Sequence, residues 1–312
     1  MTLPQITPLG VLMTVLPKFS YLWLAWADRW PWMDAAGEAE RLNQYERAKR
    51  YGNRAAKKHR NQASARDEML DVEVLITLFR YKDYVAQAIG SAELAIEGLK
   101  ARGLKGGIVV VEDCGGDGSW ELCLELADQS SVPIRMLQPA KNIGLTGARN
   151  LGLASSKSQT LFVLDADNRV HPTALAALYD LLRGNEAIAA YGPLDVVTLS
   201  GEHMGQISDS PPDRKRMMTQ GNYIDAMALF DTEHLKATSG WDSELLRHCW
   251  GLEDYELWVR LMRSNRPIAF LQETVGEYLL KENSMARHLN PRTWSRFCAY
   301  MRKKHGPEFQ VT

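Results

Sequence analysis

The chain has 312 residues, of which 45% are hydrophobic, and its formal net charge is −1. This length allows one large or two modest domains with a real core, and the balanced charge excludes a global field that would attract nucleic acid or an anionic membrane. The four cysteines form no Cys-x-x-Cys pair, which argues against a zinc site or a disulfide framework and favours a reducing, cytoplasmic setting.

Residues 1–70 are predicted to be an N-terminal extension, rich in tryptophan at first and basic afterwards. They contain no recognisable signal peptide. The apolar stretch over residues 10–27 is interrupted by Pro17 and Lys18 before it reaches the length of a spanning helix, so we expect no transmembrane helix. We expect this stretch to be buried or covered by a partner, with shallow contact to a membrane surface as the alternative.

A helix is predicted from Ala35 to about Glu68, because this segment is rich in helix formers and contains no proline. Within it, residues 41–60 carry eight basic side chains against one acidic side chain. Such a run is typical of a solvated helix face or a linker. The functional alternative is contact of residues 1–60 with nucleic acid, a protein partner or an anionic membrane surface, and the last of these would make the protein peripheral to a membrane.

From residue 71 onward, segments with strand and helix patterns alternate. The predicted order is a strand at Val72–Leu78, a helix from Asp83, a strand at Ile108–Val111, a helix at Ser119–Gln129, a strand at Ile134–Leu137, a helix at Leu145–Ala154 and a strand at Leu161–Leu164. This alternation predicts an α/β fold with one Rossmann-like, nucleotide-binding sheet flanked by helices.

The second half of the chain continues the pattern less regularly. It is predicted to contain a helix after His171-Pro172, a strand at Ala187–Tyr191, a loop at Ser200–Gly221, a strand at Tyr223–Phe230, a helix after Trp250 and a strand at Ile268–Leu271. We therefore predict one domain over residues 71–290, with halves at 71–170 and 171–290, followed by a C-terminal helix within residues 291–312.

Two carboxylates follow the apolar run Leu161–Leu164, in the sequence Asp165-Ala166-Asp167. Residues two apart in an extended or turning segment project to the same side, so Asp165 and Asp167 can address one ligand. Parallel sheets place their ligand crevice at the carboxyl ends of the strands. Hard oxygens held in this way suit Mg²⁺ or Mn²⁺ bridging to a diphosphate, whereas the alternative is an ordinary surface turn.

A second acidic pair, Glu253 and Asp254, opens a later helix. Acids in a first helical turn commonly stabilise the helix dipole, and that is the simpler interpretation of this pair alone. Taken together with the acids that end the strands, the pair favours a catalytic base that removes a proton from an acceptor hydroxyl.

Five segments in this order resemble the family 2 glycosyltransferases over about Val72 to Met285. The segments are Val74–Phe79, Val109–Gly118, Asn142–Gly144 with Ala148–Asn150, Asp165–Asp167 and Gly251–Trp258. The resemblance implies the A-type glycosyltransferase fold. It also implies inverting, metal-dependent transfer of one hexosyl or hexosaminyl group at a time from a nucleotide-diphosphate donor, expected to be a UDP-sugar.

The resemblance also implies roles for individual residues. Thr77, Phe79, Asp113, Arg149 and Asp165 would bind the donor, with Asp113 at the base and Asp165 near the ribose. Asp167 would bind Mn²⁺ or Mg²⁺, and Asp254, with Glu253 beside it, would be the general base. The acceptor stays open among a saccharide, a lipid carrier, a protein and a modified nucleic acid.

The sequence departs from the family where a histidine metal ligand is expected, since the stretch there reads Tyr278-Leu279-Leu280-Lys281. Lys281 could neutralise the diphosphate directly, or His288 could reach the site. Two alternatives remain at this point. A nucleotidyltransferase would need a glycine-rich basic loop after the first strand, which is absent from the sequence, and a non-catalytic module would bind a partner through the basic N-terminal helix.

Overall fold

A computed structural model of the protein describes residues 35–52, 54–65, 68–249, 251–281 and 291–311. The helices in these ranges are α1 (Ala35–Tyr51), α2 (Lys82–Lys100), α3 (Ser119–Gln129), α4 (Gly144–Ser155), α5 (Ala174–Gly184), α6 (Arg214–Thr219), α7 (Thr232–Ala237), α8 (Glu253–Leu261) and α9 (Pro291–His305), with short 3-10 helices at Gln62–Ala65 and Ser243–Arg247. The strands are β1 (Ala55–Arg60), β2 (Leu70–Leu78), β3 (Gly106–Glu112), β4 (Ile134–Pro139), β5 (Ser158–Asp165), β6 (Arg169–Val170), β7 (Ala189–Tyr191), β8 (Leu194–Thr198), β9 (His203–Ile207), β10 (Leu229–Asp231), β11 (Ile268–Phe270) and β12 (Gly276–Leu280).

An eight-stranded sheet in the order β1-β4-β3-β2-β5-β10-β7-β11 forms the centre of the molecule. Strands β4, β3, β2 and β5 run parallel to one another, as predicted from the alternation of strands and helices. Strand β10 is antiparallel to both of its neighbours. The predicted α/β fold, a Rossmann-like sheet flanked by helices, is therefore confirmed.

Both faces of this sheet are buried, which explains why its central strands are continuously apolar. In β2, Val74 and Ile76 pack into one core and Leu75 into the other, since successive strand residues point to opposite faces. Helix α2 packs on the sheet through apolar residues at three- and four-residue steps, all of which are buried: Val85, Ala88, Ile89, Ala92, Ala95, Ile96 and Leu99.

A second, four-stranded sheet in the order β6-β12-β8-β9 lies beside the end of β5. Strand β6 begins four residues after Asp165 and pairs antiparallel with β12. Sequence patterns do not predict this sheet, and they favour a loop at Ser200–Gly221. That prediction is wrong for β9 and α6, which lie inside the segment.

The N-terminal helix prediction is confirmed for Ala35–Tyr51 and wrong beyond it, because Ala55–Arg60 forms strand β1, which pairs antiparallel with β4 at the sheet edge. Its exposed lysines and arginine are typical of an edge strand, where charge discourages pairing with other chains. The tryptophan-rich stretch within residues 1–34 lies outside the described residues. Within the described ranges, no helix combines the length and the apolar character that membrane crossing requires.

Candidate active site

The carboxyl ends of strands β2, β3 and β5 lie side by side, which brings the predicted donor-binding segments together. Thr77 is paired in register with Asp165, and Leu78 with Glu112. The backbone N–H of Asp113 then donates to the carbonyl of Leu78 at 2.8 Å, so the chain leaving β3 stays against the end of β2. This edge is the expected position of a ligand crevice in a parallel sheet.

The turns that follow β2 and β3 contact each other closely. Arg80 and Cys114 both adopt positive φ angles, 60° and 59°, which non-glycine residues rarely do. A Cβ atom on Gly115 would come within 2.8 Å of the backbone nitrogen of Arg80, so only glycine allows this approach. Backbone strain of this kind concentrates at functional sites, in agreement with a ligand-binding role for this edge.

Asp113 is buried and holds the start of helix α4. Its carboxylate accepts from the backbone N–H groups of Ile143 and Gly144, both at 2.7 Å, and from the side chain of Asn142 at 2.8 Å. Burial raises the pKa of Asp113 to about 8, against the lowering effect of the two backbone donors. Asp113 thus lies at the predicted edge, but its carboxylate is engaged by the protein itself.

The two other residues of the β2 end differ in exposure. Thr77 is buried, and its hydroxyl has no hydrogen-bond partner. The ring of Phe79 is partly exposed, with the guanidinium of Arg80 5.1 Å from its centroid. The exposed ring of Phe79 is a surface on which a base or a sugar ring can pack, whereas the hydroxyl of Thr77 is a buried group that the protein leaves without a partner.

Arg149 connects the first acidic turn with the second acidic pair. From helix α4 it donates to Asp165 at 2.9 Å and to Glu253 at 2.7 Å. It is 2% exposed, and burial would lower its pKa, but the charges of Asp165, Glu253 and Asp254 outweigh that effect and raise it. Arg149 therefore stays charged and fixes α8 against the end of β5. The sequence segments predicted to meet are thus brought together, with Arg149 and Glu253 facing inward.

Asp254 is more exposed than its neighbour Glu253. Its carboxylate accepts from the side chain of Asn222 at 3.1 Å and from the backbone N–H of Tyr255 at 2.8 Å. Burial, together with repulsion from Glu253 and Asp225, raises the pKa of Asp254 to about 8. A carboxylate whose pKa lies near neutral pH has the protonation equilibrium that a general base requires.

Asp225 is a further carboxylate at this edge, which the sequence patterns do not identify. The predicted strand Tyr223–Phe230 is wrong up to residue 228, since β10 is only Leu229–Asp231. Asp225 instead lies in the irregular segment before β10. Burial and repulsion from Asp165 and Asp167 raise its pKa to about 7. The signal in the sequence is one acid within an otherwise apolar run, residues 224–230.

Asp167 is the predicted metal ligand, and its carboxylate forms an ion pair with the ammonium of Lys281. Burial and repulsion from Asp165 raise the pKa of Asp167, while Lys281 lowers it. His288, the alternative group named from the sequence, lies outside the described residues.

A divalent cation at the acidic turn would need the oxygens of Asp165 and Asp167 as ligands. Each of the two turn carboxylates already has a cationic partner, Asp165 with Arg149 and Asp167 with Lys281. Within the described ranges, no three His, Cys, Asp or Glu side chains are grouped so that they could hold a metal ion. As arranged, these residues do not fit a Mn²⁺ or Mg²⁺ ion, and the predicted cofactor stays a prediction.

Comparison with solved structures finds chains with a similar fold. The crystal structure of S. aureus TarS 1-349 in complex with UDP-GlcNAc matches with a TM-score of 0.56 and 15% sequence identity, over 75% of this chain and 65% of that chain. A second structure of the same protein, in complex with UDP, matches with a TM-score of 0.56 and 13% identity, over 77% of this chain and 70% of that chain. At this level of identity the likeness shows the fold.

Comparison with curated proteins finds relatives by sequence. The succinoglycan biosynthesis protein ExoO of Rhizobium meliloti is 31% identical over 168 residues, which cover 54% of this chain and 46% of that protein. The dolichol-phosphate mannosyltransferase of Pyrococcus furiosus is 26% identical over 120 residues, which cover 38% of this chain and 32% of that protein. This chain thus spans less than half of the length of each of these relatives.

The model of one protein family, described as glycosyl transferase family 2, matches residues 73–237, which is more than half of the chain. The matched range includes most of β2 and all of β3, β5 and helix α4, together with the acidic turn and the buried Arg149. The chain belongs to glycosyl transferase family 2.

Proposed function

We propose that this protein transfers one sugar from a nucleotide-diphosphate donor to an acceptor hydroxyl, with inversion at the anomeric carbon. The proposal rests on Arg149, which donates to both Asp165 and Glu253 and so connects the acidic turn after β5 with the Glu253–Asp254 pair at one edge of the sheet. The turn would face the donor, and Asp254 would face the acceptor. A UDP-sugar is the proposed donor, supported by the TarS complexes with UDP and UDP-GlcNAc.

Asp254 is proposed to act as the general base. The acceptor hydroxyl is a weak nucleophile until its proton is removed, and the carboxylate of Asp254 is partly exposed with a raised pKa. Attack by the deprotonated oxygen from the face opposite to the leaving nucleotide is a single displacement, and a single displacement inverts the configuration. The buried Glu253 is proposed to hold Arg149 and so to orient this base.

The ends of β2 and β3 are proposed to hold the nucleotide, with Thr77, Phe79 and the Asp113 loop nearest to it. The role of Mn²⁺ or Mg²⁺ stays a prediction from the sequence, and no step of this mechanism depends on it. The acceptor class stays open, because acceptor choice depends on loops rather than on the fold.

A panel of nucleotide sugars tests the proposal, scored for donor hydrolysis and for the increase in melting temperature of the protein. We expect the wild type to hydrolyse one donor slowly, and Asp254→Asn to keep donor binding while losing hydrolysis by about a hundredfold or more. Glu233→Gln is the matched control, since Glu233 is also an acid in a first helical turn but is exposed and remote from the edge.

Equal hydrolysis by wild type and Asp254→Asn would rule out Asp254 as the base and support the helix-dipole interpretation. A wild type that neither binds nor hydrolyses any nucleotide sugar would overturn the proposed function as a whole.

A further inference from the structure

The position of Lys281 is set by the acidic turn itself. Lys281 follows β12 directly, and β12 pairs with β6, which begins just after the turn. The side-chain oxygen of Asn168, the last residue of the turn, accepts from the backbone N–H of Leu279 at 2.9 Å. Asn168 is buried. Because a buried hydrogen bond of this kind is costly to leave unmade, the end of β12 is held beside Asp167.

The side chain of Lys281 is enclosed rather than solvated. Its ammonium pairs with Asp167 and lies 3.7 Å from the ring centroid of Tyr81 and 4.7 Å from that of Tyr84. The side chain is 10% exposed. The adjacent carboxylate of Asp167 favours the charged form of this ammonium. The aromatic faces stabilise that charge further.

Lys281 is one of two cationic side chains paired with the carboxylates of the acidic turn. Asp165, Asp167, Asp225 and Asp254 lie close enough for their charges to interact, and a donor diphosphate would add further negative charge. Arg149 is buried beneath the turn and committed to two carboxylates. Lys281 reaches the turn from another side and keeps part of its surface open. An anion binding at the turn therefore needs either Lys281 or an added cation.

We propose that Lys281 supplies the positive charge at the acidic turn that contacts the diphosphate of the donor, so that nucleotide binding does not require a divalent cation. This inference rests on the proposed function and deepens it. The ammonium occupies the carboxylate that a metal ion would otherwise use, and of its three N–H donors two are engaged, by Asp167 and by the side chain of Tyr81, which leaves one for the diphosphate. This would explain why residues 278–281 depart from the family pattern, since the ammonium of Lys281 takes the place of the divalent metal ion.

Calorimetric titration of the full chain with UDP tests this, in buffer with EDTA and in buffer with Mn²⁺. We expect the wild type to bind UDP in EDTA with an affinity within about threefold of that in Mn²⁺, and Lys281→Met to bind about ten- to a hundredfold more weakly in both buffers. Lys281→Arg keeps the charge and should retain most of the affinity. Lys236→Met is the matched control, because Lys236 pairs with Glu233 on the remote helix α7.

Asp167→Asn distinguishes Lys281 from a metal ion as the cation at the turn, because it leaves the lysine in place. A metal ligand at Asp167 predicts that this variant loses Mn²⁺-dependent binding. Our proposal predicts instead that it binds UDP in EDTA at least as well as the wild type, because Lys281 loses its competing partner. This variant keeps the inference testable if Lys281→Met fails to fold, which circular dichroism would reveal.

The outcomes distinguish the inference from the function on which it rests. Binding that requires Mn²⁺ in the wild type, or unchanged affinity in a folded Lys281→Met, would overturn the inference and leave the proposed function standing. No binding of UDP by the wild type in either buffer would overturn the inference and the UDP-sugar donor, and no binding of any nucleotide sugar would overturn the proposed function as well.

Discussion

At the scale of single residues, the edge depends on one buried guanidinium. Arg149 is enclosed by Asp165, Glu253 and the ring of Trp241, whose centroid lies 5.8 Å from its guanidinium carbon. Its Nε atom is buried without a hydrogen-bond partner. A buried pair of this kind contributes little net stability, but removing one partner leaves the other charge without compensation. The pair of Arg149 with Glu253 instead fixes the position of the neighbouring residue, Asp254.

Arg149→Met should therefore destabilise the protein by about 3–5 kcal/mol, because Glu253 would be left buried and unpaired. Adding Glu253→Gln should recover part of this loss, since a neutral amide costs less to bury than a carboxylate. Urea denaturation of both variants measures the effect. Arg102→Met, which breaks the exposed pair with Asp180, is the control and should change stability by less than about 1 kcal/mol. A double variant less stable than the single variant would contradict this account.

The raised pKa of Asp254 predicts how activity depends on pH. The base must be deprotonated to accept a proton, and its pKa in the free protein is about 8. We expect kcat/KM for transfer to rise with pH, by up to about tenfold per pH unit, and to level off above about pH 8. Initial rates between about pH 6 and about pH 9 measure this profile. A flat profile across that range, at constant donor affinity, would be incompatible with Asp254 as the titrating base.

At the scale of secondary-structure elements, helix α4 carries Arg149 and lies directly against strand β2. Gly152 makes this approach possible, since a Cβ atom there would come within 2.3 Å of a methyl carbon of Leu75. Leu75 is fully buried in the core between them. The distance between helix and strand, and hence the height of Arg149 above the sheet, is therefore set partly by a glycine.

Gly152→Ala should destabilise the protein by about 1–3 kcal/mol, because Leu75 cannot move without disturbing a packed core. Gly90→Ala is the control, since Gly90 is inside helix α2 and a Cβ atom added to it would have nothing within 4 Å. There the better helix propensity of alanine should stabilise the protein by up to about 1 kcal/mol. Thermal unfolding compares the two variants. Equal and small shifts of the same sign would contradict the packing argument.

Sequence patterns predict the elements with strong periodicity and do not predict those set by tertiary contacts. The inner face of α2 is predictable because seven apolar residues recur at three- and four-residue steps. Its start is less predictable, since the predicted helix begins at Asp83, whereas α2 begins at Lys82 and Tyr81 precedes it without a side-chain cap. Strand β8 has only a short, mixed pattern, and it forms because β9 and β12 pair with it.

In the candidate site, too, residues that follow a local sequence pattern are predictable, whereas those placed by tertiary contacts are not. Asp165 and Asp167 are identifiable because they follow an apolar strand, and Asp254 because it lies at the start of a helix. Asp225 is not identifiable as a neighbour of these acids, since its backbone follows no regular pattern before β10. The pairing of Lys281 with Asp167 depends on the β6–β12 register, which is a contact across more than a hundred residues of sequence.

At the scale of the whole molecule, the basic N-terminal helix is part of the packed structure. Tyr45 and Ala48 belong to the core on one side of the sheet, and Arg41 is buried and donates to the carbonyl of Leu246. Arg47 donates to the carbonyl of Asn142, next to the loop that holds Asp113. The solvated face predicted for this run is therefore only part of its role, since Arg47 supports the loop that holds Asp113 and Arg41 supports the 3-10 helix Ser243–Arg247.

The acidic residues of the edge also give the whole molecule a pH-dependent stability. Asp113 and Asp254 have pKa values of about 8 in the folded protein, and Asp225 about 7, against 3.8 in an unstructured chain. Between these limits the folded state retains protons that the unfolded state has released. Their contribution to stability is thus fully present below about pH 4, is lost progressively as the pH rises from there, and is gone once the pH has passed through the folded-state pKa values of about 7 and about 8.

The free energy of unfolding in urea should therefore fall between about pH 5 and about pH 8, by up to about 1.4 kcal/mol per pH unit for each proton retained, and level off above about pH 8. Asp254→Asn should flatten this dependence, because the amide needs no proton to stay neutral, and its advantage over the wild type should grow with pH. Glu256 cannot produce this trend, since its pKa is lowered to about 2 and its contribution is lost only in acid. A wild type whose stability is constant or rising across this range, or an Asp254→Asn variant with the same slope, would show that these carboxyl groups are ionised in the folded protein.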